Sequence, residues 1–299
     1  MASLRSSVFR LFTKYYLRPK FSVGKTVEEH RKAFERASRL ILLPFGTNTE
    51  LVSINGIKAE WVSVGNVSEE KIILFLHGGT YTFGSINTHR GIAARMSKYS
   101  GCKALVLDYR LAPEYPFPAA VEDSTNAFQW LIESGISPNN IAIVGDSAGG
   151  GLSLATMLIL RDNGDPLPGA AICFSPWIDL EGKGESNKAN IGIDPLISPE
   201  WFDYMAAFYV GNNDIKNPQI SPIYADLKGF PPMLIQAGSD EVILDDSKRL
   251  AEQALEVGVE VTLDIWENMW HVWQLSGGLM PEATMALQKA GEFVRKHID

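Results

Sequence analysis

The feature that most constrains the fold is a regular alternation of short apolar runs with helix-length segments from residue 71 onward. The apolar runs, rich in β-branched and aromatic residues, are the predicted strands 71–79, 102–110, 141–147, 170–177, 231–240 and 259–267. This alternation predicts βαβ units and a mostly parallel sheet. Continuous apolar runs also favour strands that are covered by helices on both faces.

Two stretches depart from this alternation. Residues 51–64 read LVSINGIKAEWVSV, and Asn55-Gly56 is a strong hairpin turn, so we expect the sheet to begin as an antiparallel pair and to have eight strands. Residues 181–230 are rich in Gly, Asn and Pro and then give the aromatic helical pattern SPEWFDYMAAFYV. We interpret this second stretch as an insertion near the functional site rather than as a separate domain.

Composition and charge exclude several classes of protein. The chain has 299 residues, of which 45% are hydrophobic and 21% charged, so it can bury a large core. A net charge of −8 is the opposite of what a nucleic-acid-binding protein usually carries. Cys102 and Cys173 lie in apolar runs and are expected to be buried free thiols. Without a long apolar span or a secretory signal, the expected location is cytoplasmic.

The pentapeptide Gly145-Asp146-Ser147-Ala148-Gly149 matches the pattern G-x-S-x-G. It follows a predicted strand and precedes an apolar helical pattern, which is the setting of a nucleophile elbow. Such a turn is so sharp that side chains at positions 145 and 149 would collide with the adjacent backbone. The alternative is a glycine-rich phosphate loop, but the pattern G-x-x-x-x-G-K-[ST] is absent from the sequence.

A serine hydroxyl needs a base, and the base needs a carboxylate to orient it. His271 follows the last predicted strand, at the sheet edge where sites gather in this class of fold. Asp240 ends the preceding strand and is our first choice for the acid, with Glu241, Asp245 and Asp246 as competitors. The last two lie in the predicted start of a helix, where carboxylates are favoured as caps.

Acyl transfer also needs N–H donors for the oxyanion. The segment His77-Gly78-Gly79-Thr80 follows a predicted strand and is similar to the glycine loop that supplies such donors in esterases. We expect the amides of Gly78, Gly79 and Ala148 to form the oxyanion hole. The alternative is an ordinary Gly-Gly turn. His77 is expected to shape the loop and not to act as the base.

From about residue 50 onward the sequence resembles the hormone-sensitive-lipase family of α/β-hydrolase carboxylesterases. The resemblance rests on 77–79, 108–114, 145–150, Asp240 and His271. It implies the α/β-hydrolase fold and an ester hydrolase with the triad Ser147, Asp240 and His271 and no cofactor or metal. It also implies flanking helices and a helical cap built from the N-terminal helices and residues 181–215. The segment 108–114 is implied to brace the loop after its strand.

Three positions depart from the family pattern. Thr80 replaces the third glycine of the oxyanion loop, Val272 replaces the glycine after the histidine, and Asp240-Glu241-Val242 replaces Asp-Pro-Leu. Plant hormone receptors that resemble this family lack the histidine, whereas His271 is present here. This difference favours an enzyme over a non-catalytic receptor.

We therefore expect a cap segment at residues 1–45 and a catalytic domain at 46–299. The expected reaction is hydrolysis of short- to medium-chain esters through an acyl-enzyme. The expected substrate-contacting residues are Thr80, Tyr81, Trp201, Met205, Phe208 and Tyr209. The alternatives are a small-molecule receptor of the same fold and an interfacial lipase or amidase with the same triad. The expected partner is a small-molecule ester, without nucleic acid or stable membrane insertion, and a homodimer is left open.

Residues 1–20 carry five basic residues and no acidic one, a charge of +5, so the rest of the chain carries −13. Apolar residues recur among them at helical spacing, which is typical of an amphipathic helix. By itself this pattern indicates a membrane-surface helix. Beside the predicted hydrolase core we favour a role as half of a lid over Ser147, with its positive face against the acidic body.

Overall fold

In the computed structural model, which describes residues 3–299, eight strands form one sheet in the order β1-β2-β4-β3-β5-β6-β7-β8. The strands are β1 Thr47–Ile54, β2 Ile57–Val64, β3 Ser68–Leu76, β4 Cys102–Leu107, β5 Ile141–Asp146, β6 Ala170–Phe174, β7 Met233–Gly238 and β8 Val261–Trp266. β2 is antiparallel to both β1 and β4, and every other pair is parallel. The predicted mostly parallel sheet is confirmed.

The predicted N-terminal hairpin is also present. Ile54 of β1 pairs with Ile57 of β2, so only two residues form the loop between them. Asn55 and Gly56 both have positive φ angles, 52° and 89°. This is the backbone of a tight hairpin turn, and asparagine and glycine are the residues that adopt it at least cost.

Helices cover both faces of the sheet. They are α1 Leu4–Phe12, α2 Val27–Ser38, α3 Ile86–Ser100, α4 Ala119–Glu133, α5 Ala148–Asn163, α6 Ser186–Ala189, α7 Pro199–Val210, α8 Leu244–Glu256 and α9 Pro281–His297. Short helical turns also occur at Thr13–Leu17, Arg18–Lys20, Pro138–Asn140, Pro222–Tyr224 and Trp273–Leu279. None of the helices within residues 3–299 is long and apolar enough to cross a membrane.

Two hydrophobic cores lie on opposite faces because side chains alternate along each strand. In β3, Ile72, Leu74 and Leu76 join the core that contains α4, α5 and α8. Ile73 and Phe75 join the other core, beneath α3 and α9. These five side chains are almost fully buried, as expected for a central parallel strand.

Both cysteines are buried and free, as the sequence predicted. Cys102 begins β4 and Cys173 lies in β6. Burial raises the pKa of the Cys173 thiol to about 12, so this side chain stays protonated and packs as a small apolar group.

Asp246, in the first turn of α8, ties this helix to the chain that follows β6. Its buried Oδ2 accepts hydrogen bonds from the backbone N–H groups of Ile178, at 2.9 Å, and Asp179, at 3.0 Å. Burial is the largest influence on this carboxyl and raises its pKa to about 7. The native state therefore binds this proton more tightly than the unfolded chain does.

We predict that Asp246→Asn changes how stability depends on pH. With the native pKa above the ordinary value of 3.8, the contribution of Asp246 to stability is lost as pH rises from about 4 to about 7. The amide cannot titrate, so the free energy of unfolding of the variant should rise relative to wild type across this window. Urea unfolding at several pH values measures the difference, and a constant difference would contradict the prediction.

Candidate active site

Ser147 lies at the sharp turn where β5 ends and α5 begins, with φ 52° and ψ −120°. A Cβ atom on Gly145 would lie 2.1 Å from the carbonyl oxygen of Gly149. A Cβ atom on Gly149 would lie 2.0 Å from the carbonyl oxygen of Leu76, at the end of β3. Both glycines are therefore required, and the structure has the strand-to-helix turn that the motif predicts.

His271 lies in the loop after β8 and reaches the serine. Its Nε2 is 2.9 Å from the Ser147 Oγ, and both residues are 5% exposed. The ring of Phe202 meets the imidazole edge-on, with 5.6 Å between ring centroids. This geometry allows Nε2 to accept the hydroxyl proton of Ser147.

Glu241 is the carboxylate that contacts the histidine. Its Oε2 is 3.2 Å from the His271 Nδ1, and the side chain is fully buried. Its Oε1 accepts hydrogen bonds from the Ser175 hydroxyl at 2.7 Å and from the Gly238 amide at 2.5 Å. A carboxylate at Nδ1 favours the tautomer whose Nε2 is free to act as a base.

The prediction that Asp240 contacts the histidine is wrong. Its carboxylate pairs with Arg10 of α1, at 2.6 Å, and Glu241 is the side chain within hydrogen-bond distance of the histidine. β7 ends at Gly238, and after a strand end the direction of each side chain depends on tertiary contacts that the sequence pattern does not reveal. Of the competitors, Asp245 accepts a hydrogen bond from the backbone N–H of Ser186, while Asp246 holds the chain after β6.

Ser175 connects the acid to the loop that carries the histidine. Its hydroxyl donates to Glu241, and its Oγ accepts a hydrogen bond from the Val272 amide at 3.1 Å. Val272 has a φ of 49°, which is unfavourable for a β-branched residue and explains why glycine is usual here. Sequence reasoning did not single out Ser175, although a polar residue directly after a buried strand was a usable signal.

The oxyanion loop differs from expectation at Gly78. Its amide donates to the Asp146 Oδ1 at 3.0 Å, so this N–H is already occupied. Gly79 and Thr80 instead line the cavity beside Ser147, with φ angles of 114° and 51°. Among residues 3–299, no acceptor binds the amide of either one. Ala148 provides the first amide of α5, a group that lacks an intrahelical acceptor.

His77 shapes this loop and lies outside the cavity lining. Its Nδ1 donates to the carbonyl oxygen of Gly78 at 2.8 Å, and its ring stacks on Tyr109 with 4.2 Å between centroids. The Tyr109 hydroxyl donates to the His77 carbonyl at 2.7 Å. Burial lowers the pKa of His77 to about 3, so the ring is neutral at physiological pH. It braces the loop, and Tyr109 of the segment 108–114 supports it.

A cavity of about 350 Å³ opens onto Ser147 and His271. Its walls are mostly apolar and include Phe9, Phe12, Leu17, Phe21, Phe34, Trp201 and Phe202. The first five come from the N-terminal segment, so this segment forms part of the wall of the cavity that opens onto Ser147. Within residues 3–299, no cluster of three or more His, Cys, Asp or Glu side chains could hold a metal ion.

The predicted substrate-contacting residues divide into two groups. Thr80 and Trp201 line the cavity, whereas Tyr81, Met205, Phe208 and Tyr209 do not. Tyr81 stacks on Tyr209 with 3.7 Å between centroids, Met205 is fully buried in the core, and Phe208 packs on Tyr204. Met205 and Tyr209 of α7 therefore pack in the core and do not line the cavity, whereas Trp201 of the same helix does. Phe9 and Phe12 of α1 line the cavity instead, and they were not among the predicted substrate-contacting residues. The helical spacing of the apolar residues in 1–20 was the feature that could have identified them.

Polar contacts attach the N-terminal segment to the body. Arg10 pairs with Asp240 and also donates to the carbonyl oxygen of Ile193 at 2.6 Å. Arg31 of α2 pairs with Glu114 at 2.7 Å and donates to the carbonyl oxygen of Thr82, two residues after the oxyanion loop, at 2.8 Å. Two arginines of this segment, Arg10 and Arg31, therefore meet acidic side chains and carbonyl groups around the site.

Comparisons with known proteins agree with this fold. A family model for the α/β hydrolase fold matches residues 73–275. An acetyl-hydrolase of Streptomyces hygroscopicus is 40% identical over 272 residues, which is 90% of each chain. A crystal structure of an esterase from the bacterial hormone-sensitive lipase family superposes with a TM-score of 0.96 at 40% identity, over 100% of both chains. The esterase EstE5, soaked with p-nitrophenyl butyrate, gives 0.95 at 42% identity over 99% of both chains.

Fold and site together define a serine hydrolase of the α/β class. The chain belongs to the α/β-hydrolase fold family, and within it to the hormone-sensitive-lipase family, as the motifs predicted.

We predict that Glu241→Gln slows the modification of Ser147 by a fluorophosphonate by ~10³-fold or more, because the amide no longer stabilises the imidazolium. Asp240→Asn is the matched control: its side chain pairs with Arg10, so the loss should stay within about tenfold. Mass spectrometry of the peptide that contains Ser147 measures both rates. A larger loss in Asp240→Asn than in Glu241→Gln would identify Asp240 as the acid.

Proposed function

We propose that this protein is a serine carboxylesterase that hydrolyses short- to medium-chain carboxylic esters. The observation that carries the proposal is the hydrogen-bonded chain from Ser147 through His271 to Glu241, whose Ser147 end faces an apolar cavity. The relatives support the reaction class, because the named proteins are an acetyl-hydrolase and esterases.

In the first half of the reaction, His271 Nε2 takes the proton from Ser147 as Oγ attacks the ester carbonyl carbon. Glu241 stabilises the imidazolium that forms, because its Oε2 faces Nδ1. When the tetrahedral intermediate collapses, the bond to the alcohol oxygen breaks. The imidazolium then gives its proton to the departing alkoxide, which leaves an acyl group on Ser147.

In the second half, water enters the place of the alcohol and His271 takes one of its protons. The hydroxide attacks the acyl carbon, and the second tetrahedral intermediate releases the carboxylic acid. The proton on Nε2 returns to the Ser147 Oγ, so the enzyme regains its starting state.

The negative charge on the carbonyl oxygen needs fixed donors in each half. We assign this role to the amides of Gly79, Thr80 and Ala148, and not to Gly78, whose N–H binds Asp146. The Thr80 hydroxyl takes no part, because it donates within the loop to the carbonyl oxygen of Gly79 at 2.8 Å. Replacing the usual third glycine with Thr80 therefore leaves a backbone donor in place.

The cap sets the size of the acyl group. We assign residues 1–45 and 181–215 to this cap and the rest of 46–299 to the catalytic domain. A cavity of about 350 Å³ is near the lower end of the range for small-molecule sites, which favours short and medium chains. The receptor alternative is disfavoured because a binding protein has no need of the Ser147–His271 contact.

We predict that Ser147→Ala reduces the hydrolysis of p-nitrophenyl butyrate to the level of the uncatalysed reaction plus the small residual effect of binding. The loss in kcat should be at least ~10⁴-fold, because no nucleophile remains. Glu252→Ala, at an exposed position of α8, is a control for purification and folding. Wild-type activity in Ser147→Ala would refute the proposed reaction.

We predict a maximum of kcat/KM at short or medium chains across p-nitrophenyl esters from acetate to palmitate. Phe12→Ala should raise the rate on the octanoate relative to the acetate by about tenfold, because it removes a side chain from the cavity wall. Phe208→Ala is the matched control, since this half-buried aromatic residue also lies in the cap but does not line the cavity. A maximum on the palmitate would support the interfacial lipase instead.

A further inference from the structure

The outer face of α1 and the following turn exposes a continuous apolar stripe. Leu4, Val8, Leu11 and Tyr15 are spaced by three or four residues, so they share one side of the helix, and they are 82%, 59%, 56% and 70% exposed. The side toward the body carries Ser6 and Thr13, which are almost fully buried. The solvent-facing side of this helix is therefore apolar, whereas a surface helix usually turns polar groups toward solvent; its aromatic residues Phe9 and Phe12 line the cavity instead.

Basic side chains flank this stripe. At about 100° per residue, Arg5 lies on one side of the stripe and Lys14 on the other, and both are exposed. Neither forms an ion pair with any residue in 3–299, whereas Arg10, on another side of the helix, pairs with Asp240. Residues 1–20 contain no acidic side chain, so the outer face is apolar in the middle and cationic at its edges.

The stripe adjoins the mouth of the active-site cavity. Val8 belongs both to the stripe and to the cavity lining. Leu40, after α2, also lines the cavity and is 57% exposed. Leu42 and Phe45 follow as strongly exposed residues. An apolar ligand held on this surface would therefore lie beside the opening that leads to Ser147.

We propose that the outer face of residues 4–15 docks reversibly on an anionic phospholipid bilayer. The four apolar side chains enter the boundary between headgroups and acyl chains, and Arg5 and Lys14 meet lipid phosphates. A second copy of the chain fits this face less well, because a two-fold dimer through it would bring like charges together. The proposal goes beyond the ester hydrolysis proposed above, which does not depend on it.

The first experiment is co-sedimentation of the full chain with vesicles. Equal parts of phosphatidylglycerol and phosphatidylcholine should bind the protein at least ~10-fold more tightly than phosphatidylcholine alone. Binding to the anionic vesicles should weaken as salt is raised, because the basic residues are exposed. Equal binding to both vesicle types, or no binding to either, would overturn the proposal.

The second experiment tests the face itself. The double variant Leu11→Ser/Tyr15→Ser removes two exposed side chains that do not line the cavity, and should weaken vesicle binding by ~10-fold or more. The matched control is Leu51→Ser/Leu255→Ser, which makes a similar change at exposed positions on β1 and α8 and should bind as wild type does.

Two further readouts keep the result unambiguous. Both double variants should hydrolyse a water-soluble ester at the wild-type rate, which shows that they are folded whatever happens to vesicle binding. Light scattering with size-exclusion chromatography reports the oligomeric state. The proposal would be overturned if Leu11→Ser/Tyr15→Ser bound vesicles as wild type does. It would also be overturned if the variant were a monomer, wild type a dimer, and neither of the two bound vesicles.

Discussion

The close approach of α5 to the ends of β3 and β5 is the constraint on which the site depends. Side chains at positions 145 and 149 would overlap backbone atoms of Gly149 and Leu76, so glycine at both positions allows the helix to begin immediately after the strand. This contact accompanies the positive φ of Ser147, 52°, at the N-terminus of α5. One backbone turn therefore positions both Ser147 and the amide of Ala148, which we propose as an oxyanion donor.

The remaining groups come from the ends of neighbouring strands. Ser175 follows β6, Glu241 follows β7 and His271 follows β8, so parallel pairing brings all three to one edge of the sheet. The Ser175 hydroxyl links them by bonding both to Glu241 and to the backbone of the histidine loop. Base and acid are thus held by hydrogen bonds across three loops, in addition to the packing of each loop.

Sequence patterns predicted those features of the fold that depend on local sequence or on the order of strands in the sheet. The hairpin at Asn55-Gly56, the parallel strands and the elbow follow from periodicity and from residues that few others can replace. The choice between Asp240 and Glu241 as the acid does not follow from the sequence pattern. Both residues come after the same strand, and only tertiary contacts determine which carboxylate reaches His271. The prediction that the Gly78 amide serves the oxyanion hole failed for a similar reason. This amide donates to the side chain of Asp146, which lies 68 positions away in the sequence.

The N-terminal charge asymmetry now has two physical components. Arg10 and Arg31 face the body, where Asp240 and Glu114 neutralise them. Because Asp240 directly precedes Glu241, its pairing with Arg10 joins the N-terminal segment to the loop that carries Glu241. Arg5 and Lys14 have no such partner within residues 3–299, and they border the exposed apolar stripe. The N-terminal segment therefore lines the cavity with Phe9 and Phe12 and presents a cationic, apolar face outward, so the ion pairs with the body and the proposed bilayer contact depend on different side chains and can be altered separately.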